Sequence, residues 1–431
     1  MAFKAAQTSD HTQLNTGEPG SVASTLAAVI RRAIDSAGGW WPFDAFMAAA
    51  LYQPGLGYYA SHRQLFGCMP ASGSDFVTAP ELSPLFARAL AAPVAQALAA
   101  SGSRQVMEFG AGSGALAAGL LDALDGLGLA VTGYAIVDVS GTLRQRQQAR
   151  LARFGDRVQW LDALPEVFDG VLIGNEVLDA MPVQLLHFDG ERWFERGVVA
   201  ATADTADAAA AADRADRADA ADGAGGFAWS DRPTALRPPV DAAHLAQFVP
   251  GTTVEIHAQA EAFIRTVVGM LRRGVAFFID YGFPEAEFYL PQRVGGTLMC
   301  HQAHRADGDP LLAVGQKDIT AHINFTGIAL AAQGAGAAVI GYTSQARFLL
   351  NCGWVGLLET ASLAERSMAQ RLIHEHEMGE LFKVIAFSRG LAGGELAGGE
   401  LAGNELAGSE LAGSELAAPL GFAHGDRTHR L

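Results

Sequence analysis

The chain has 431 residues, half of them hydrophobic, and a formal net charge of −16; it is long enough to bury a substantial core. That charge argues against tight phosphate-backbone binding, which needs clustered Lys and Arg, so no nucleic-acid partner is expected. No apolar run approaches the roughly 20 residues of a membrane span, and Cys68, Cys300 and Cys352 lie too far apart to suggest a zinc site or a disulfide framework.

Residues 1–21 carry neither a signal-peptide core nor an Arg-rich amphipathic pattern, so a flexible N-terminus and a cytoplasmic location are expected. The body runs from about residue 22 to 390. In it, "GSDFVTAPELSP" sets Asp75, Thr78 and Glu81 around a turn that opens a helix, with Pro80 suited to the first turn. This segment is positioned to close over a bound cofactor.

The runs "QVMEF", "GYAIVDV", "RVQWL", "FDGVLIGN", "GVAFFIDYG" and "FKVIAF" read as strands, with helical patterns such as "TLRQRQQARLARF" between the first ones. Alternation of this kind predicts an α/β fold: a mostly parallel, Rossmann-like sheet with helices on both faces. Ligands of such sheets bind beyond the carboxyl ends of the strands.

After the first strand comes "MEFGAGSGAL", in which Glu108 precedes Gly110, Gly112 and Gly114, with a helix expected from about Ser113. The third glycine falls one residue early for a dinucleotide motif, so the spacing disfavours NAD. E-x-G-x-G-x-G is the S-adenosylmethionine (SAM) form: glycines let the backbone approach the cofactor, and the acid organises the loop. Asp138, ending the second strand, is suited either to accept from ribose hydroxyls or to cap the next helix. After the third strand Asp162 is a candidate acceptor for the adenine amino group, with Trp160 or Leu161 beside the ring. The fourth strand runs into "NEVLDAMPV", where Asn175, Glu176 and Asp179 either flank a methyl acceptor or begin a helix; carboxylates there suit a guanidinium.

Two low-complexity stretches stand apart: an Ala/Asp-rich insertion at 200–226 and a Gly-Glu-Leu-Ala repeat in a tail at 391–431. The first has almost no large apolar side chains to offset ordering entropy, and a glycine in almost every period of the second weakens any helix, so both are expected to contribute little buried surface. His301 and His304 have H-x-x-H spacing without a third ligand in pattern, so no metal is expected.

Together, "GYYA", "GSDFVTAPELSPLFARAL", "MEFGAGSGAL", "NEVLDAMPV", "FIDYG", "GGTLMCHQAHRADGDPLLAVGQKDITAHINFTGIA" and "GYTSQARFLLNCG" resemble the MidA-like SAM-dependent methyltransferases, bacterial relatives of a mitochondrial complex I assembly factor that methylates a protein arginine. The resemblance implies a helical N-terminal part (22–102), an inserted substrate region, a protein substrate that includes a respiratory-complex subunit among the candidates, and a homodimer. It assigns Glu108, Gly110, Gly112 and Asp138 to the cofactor and places Asn175 and Glu176 by the acceptor. Ala111, Val177 and Leu178 stand where the family carries a proline and two aromatic residues. Another methyl acceptor, or a SAM-binding assembly chaperone, are the alternative expectations.

Overall fold

The computed structural model describes residues 19–61, 77–201, 226–302, 305–391, 395–396 and 421–431. Its N-terminal part is helical: α1 (Pro19–Ser36), α2 (Phe43–Tyr52) and α3 (Pro84–Ser101). The principal sheet contains β1 (Gln105–Phe109), β2 (Gly133–Val137), β3 (Val158–Trp160), β4 (Phe168–Asn175), β5 (Leu271–Phe283), β6 (Ala338–Ser344) and β7 (Phe382–Arg389). Their order is 3-2-1-4-5-7-6, and Ile323–Asn324 adds a short strand beside β5. Strands β1 to β5 are parallel, whereas β7 is antiparallel to both β5 and β6. This is the mostly parallel α/β arrangement that the alternating runs predict.

The pleat explains why these runs are apolar throughout. Along β5, Val275, Phe277 and Ile279 enter one buried cluster while Ala276 and Phe278 enter the other, as a strand covered on both faces requires. Helices α3 and α4 (Ala115–Gly126) cover the first face. After α5 (Gly141–Leu151), helices α6 (Ala258–Met270) and α7 (Phe325–Gly334) cover the second. Sheet order reverses between β1 and β4, so a crevice opens at their carboxyl ends.

Between β4 and β5 the chain builds an antiparallel sheet from Gln184–Phe188, Trp193–Ala200, Phe227–Pro233 and Thr253–Ile256, joined by Trp41–Pro42. A three-stranded sheet of Met299–Gln302, Arg305–Asp307 and Asp318–Thr320 follows β5. Both pack through one cluster with α1 and α2.

Of the Ala/Asp-rich insertion, 202–225 lies outside the described residues. Its flanks form a hairpin: Ala200 pairs with Phe227, and the Ala201 N–H donates to Gly226 O at 2.8 Å. Because the ends already meet, replacing 202–225 by a short turn is expected to leave the melting temperature unchanged.

The end of the chain departs from the expectation for a low-complexity tail. Most of the repeat lies outside the described residues, but 421–431 packs on the domain. Phe422 is 1% exposed and meets Phe348 edge-on at 5.3 Å. Tyr342 N donates to Asp426 Oδ1 at 3.0 Å, Thr343 Oγ1 donates to Gly425 O at 2.7 Å, and Arg427 pairs with Glu380. Burying one such aromatic contributes about 1.5–3 kcal/mol. Truncation after Gly390 is therefore expected to lower the melting temperature by several degrees; an unchanged transition would show that these contacts contribute nothing.

Candidate active site

One cavity of about 1080 Å³ lies at the carboxyl ends of β1, β2 and β4 and is walled by Glu108, Gly110, Ala111, Gly112, Asp138, Asn175, Glu176 and Asp179, among others. At its floor, β1 runs into a turn in which Gly110, Gly112 and Gly114 have φ of +62°, +53° and +81°. Glycine alone adopts this left-handed backbone without penalty. A Cβ on Gly110 would also lie 2.9 Å from Val177 Cγ2. Gly110 and Gly112 thus bring no side chain to the crevice at the start of α4, where the first N–H groups of a helix lack intrahelical partners.

The helix begins at Ala115 rather than near Ser113, with Gly114 as its N-cap. Gly114 does not line the cavity: its Cα faces α5, where an added Cβ would contact Leu151 and Gln147 at 3.4–3.5 Å. It is therefore a turn and packing glycine, correcting its assignment to the cofactor.

Glu108 is 2% exposed and accepts from Tyr134 Oη at 2.6 Å. Burial pushes its carboxyl up to about 7, and the Tyr134 bond opposes this only in part. Asp138 lines the cavity and is fixed twice, Oδ1 accepting from Ser140 N at 2.8 Å and Oδ2 from Gln147 Nε2 at 2.7 Å. Gln147, fully buried, also donates to Gly112 O at 3.0 Å and accepts from Trp160 Nε1 at 2.9 Å. One amide thus ties the glycine turn to the end of β2, a brace that sequence reading misses because it depends on helix packing.

Asp162 and its neighbours do not fit their expected role. The Asp162 side chain is 84% exposed and bonds Arg144 Nη1 at 2.5 Å, and neither it nor Trp160 nor Leu161 lines the cavity. Arg144 draws the carboxylate outward, Trp160 is engaged by Gln147, and Leu161 packs against the core.

Asn175, Glu176 and Asp179 do come together on the cavity wall, Asn175 as the last residue of β4 and the other two in the loop after it rather than at a helix start. Asp280, at the end of β5, shapes this loop: its Oδ2 accepts from the N–H groups of Val177, Leu178 and Asp179 at 2.9–3.3 Å. Glu176 is held at φ +54°, a conformation a non-glycine residue keeps only where its surroundings enforce it. Its Oε1 accepts from Ala79 N at 3.3 Å and Asn175 Nδ2 at 3.1 Å. Burial, and then the nearby Asp179 carboxylate, push Glu176 up to about 8. Burial likewise raises Asp179, although Tyr281 Oη donates to its Oδ2 at 2.5 Å. Asn175 Oδ1 and Asp179 Oδ1 are buried without a hydrogen bond of regular geometry.

The "VTAPELSP" segment joins the two halves. Thr78 occupies the N-cap position of a short helix, Ala79–Leu82, without a side-chain capping bond, and Pro80 lies in its first turn. Ala79 reaches Glu176, while Glu81 accepts from Ser113 and from Arg150 Nη1 at 3.1 Å. Asp75 and His304 lie outside the described residues. Six carboxylates, Glu81, Glu108, Asp138, Glu176, Asp179 and Asp318, line the cavity, with no Lys or Arg among its described lining residues.

A family model describing S-adenosyl-L-methionine-dependent methyltransferases matches residues 86–343, more than half of the chain. The chain belongs to this family. A crystal structure from Burkholderia thailandensis bound to S-adenosyl-homocysteine is 49% identical, covers 97% of this chain and 100% of that one, and superposes with a TM-score of 0.81. A native structure from the same organism is 48% identical with the same coverage and a TM-score of 0.77. The chain is also 26% identical to the protein arginine methyltransferase NDUFAF7, mitochondrial, of Danio rerio, over 77% of this chain and 78% of that protein. A Caenorhabditis elegans homolog matches at 30% over 35% of this chain and 40% of its own length.

The cofactor is SAM, and the residues fit it: a left-handed glycine turn at a helix start, a fixed carboxylate just after β2, and an open cavity between them among the described residues. Gly110, Gly112 and Asp138, which line the cavity here, would hold it, and Glu108 lines the same cavity. Asp138→Ala is expected to weaken SAM by roughly 1–3 kcal/mol in calorimetry. Wild-type affinity in that variant would reduce Asp138 to a brace for Ser140 and Gln147.

Proposed function

We propose that this methyltransferase methylates a guanidinium nitrogen of a protein arginine, in an assembly role for a respiratory NADH:ubiquinone oxidoreductase. The observation that carries the reading is the acceptor end of the cavity: Glu176 and Asp179 beside two buried oxygens without a hydrogen bond of regular geometry, Asn175 Oδ1 and Asp179 Oδ1, with no Lys or Arg among the described lining residues to neutralise them. Buried acceptors of this kind are costly until a donor arrives. A guanidinium brings five N–H donors and a permanent charge. The Danio rerio relative, a protein arginine methyltransferase, supports the same acceptor; the respiratory role rests on the family resemblance.

When bound, SAM supplies an electrophilic sulfonium methyl group. The chain supplies alignment and a base. Asn175 and Ala79 hold Glu176 Oε1, and among the described residues Oε2 accepts no hydrogen bond. A nitrogen that gains a carbon must shed a proton, and a carboxylate raised to about 8 is matched to take it at Oε2 near neutral pH. Mass spectrometry of proteins from wild-type and deletion cells tests the reading. Methylarginine lost from a respiratory-complex subunit on deletion is the expected result; loss only from lysine, or from a small molecule, contradicts it.

A further inference from the structure

We infer that Tyr59 and Asp318, which lie outside the cofactor-binding sheet, form with Asp179 a two-sided clamp that selects a planar guanidinium over other acceptors. The inference rests on the cationic-acceptor reading above and adds the residues that enforce it.

Asp318 opens the last strand of the three-stranded sheet and is 4% exposed. Its Oδ1 accepts from Ile319 N at 2.9 Å and its Oδ2 from Tyr59 Oη at 2.8 Å. The strand is tied to the acceptor loop, because Ala321 N donates to Asp179 O at 3.0 Å. Tyr59 stacks on Tyr52 with ring centroids 5.6 Å apart and planes at 17°, and Tyr52 Oη donates to Ala180 O at 2.8 Å. Tyr281 Oη is likewise committed to Asp179. All five side chains line the cavity.

The three tyrosine hydroxyls therefore donate into the wall. What these residues contribute to the cavity wall is aromatic surface and two carboxyl groups, with no side-chain cation among them. Such a lining takes a donor-only cation, and π surface adds to that preference. Two carboxylates carried on separate segments and fixed by separate tyrosines suit a rigid fork of donors better than a point charge such as an ammonium. A metal ion is a poor match, since no three His, Cys, Asp or Glu among the described residues are placed to hold one.

The test uses the full chain saturated with S-adenosyl-homocysteine and the methylamides of N-acetyl-arginine, N-acetyl-citrulline and N-acetyl-lysine, titrated by NMR. The wild type is expected to favour arginine over citrulline and lysine by at least about tenfold. Asp318→Asn should lose most of that preference and Tyr59→Phe part of it, both retaining S-adenosyl-homocysteine affinity. If the wild type does not distinguish arginine from citrulline, the cationic-acceptor reading itself falls. If it does, but Asp318→Asn keeps the full preference, the clamp alone is overturned; equal binding of lysine also overturns it. Should Asp318→Asn fail to fold, an undiminished preference in Tyr59→Phe overturns the clamp.

Discussion

Glu176→Gln is expected to bind SAM as the wild type does and to transfer methyl groups at least about a hundredfold more slowly, a loss of roughly 3 kcal/mol in transition-state stabilisation. The substitution keeps side-chain length and leaves Asn175 and Ala79 an oxygen to bond, so it removes charge and basicity with little change of shape. Wild-type turnover should climb as pH rises toward about 8, where Glu176 ionises, and the variant should lack that limb. Stability moves the opposite way. The carboxyl ionises near 4.5 in the unfolded chain and near 8 in the folded one, so the folded state binds the extra proton between these values. Wild-type stability therefore falls as pH rises across that window. Gln has no such cost, and the melting temperature of the variant relative to wild type should rise from about pH 4.5 to 8. Normal turnover by Glu176→Gln would remove the guanidinium argument and leave methylation of an unknown acceptor.

Gly112→Val is expected to abolish measurable SAM binding while the chain still folds. Gly112 sits at φ +53° in the wall of the cavity, where a β-branched residue is both strained and intrusive. Gln147 holds its carbonyl at 3.0 Å, so the turn has little freedom to move aside. Calorimetry with SAM and a thermal melt separate the two effects. Undiminished affinity would show that the cofactor does not meet the backbone at this turn.

The fold was readable because its strands are contiguous apolar runs followed by helices, and the parallel core needs little else. That Gly110, Gly112, Asp138, Asn175, Glu176 and Asp179 line one cavity was legible for the same reason: each sits at or just after the end of a strand. The failures come from interactions no local pattern encodes. Asp162 follows a strand as the others do, but Arg144, 18 positions earlier in the chain, pulls it to the surface. Gln147 reaches the glycine turn, and Tyr59 and Asp318 the cavity, only through the packing of distant segments. The low-complexity repeat stops short of the last residues, where Phe422 and Arg427 break its composition and pack on the domain.

The most direct test of the central claim incubates the purified chain, and its Glu176→Gln variant, with methyl-labelled SAM and protein extract from cells lacking the enzyme. The labelled protein is then hydrolysed to amino acids. Label recovered as methylarginine with the wild-type chain, and reduced at least about a hundredfold with the variant, is the predicted result. Label on another residue, or equal labelling by both chains, would contradict it.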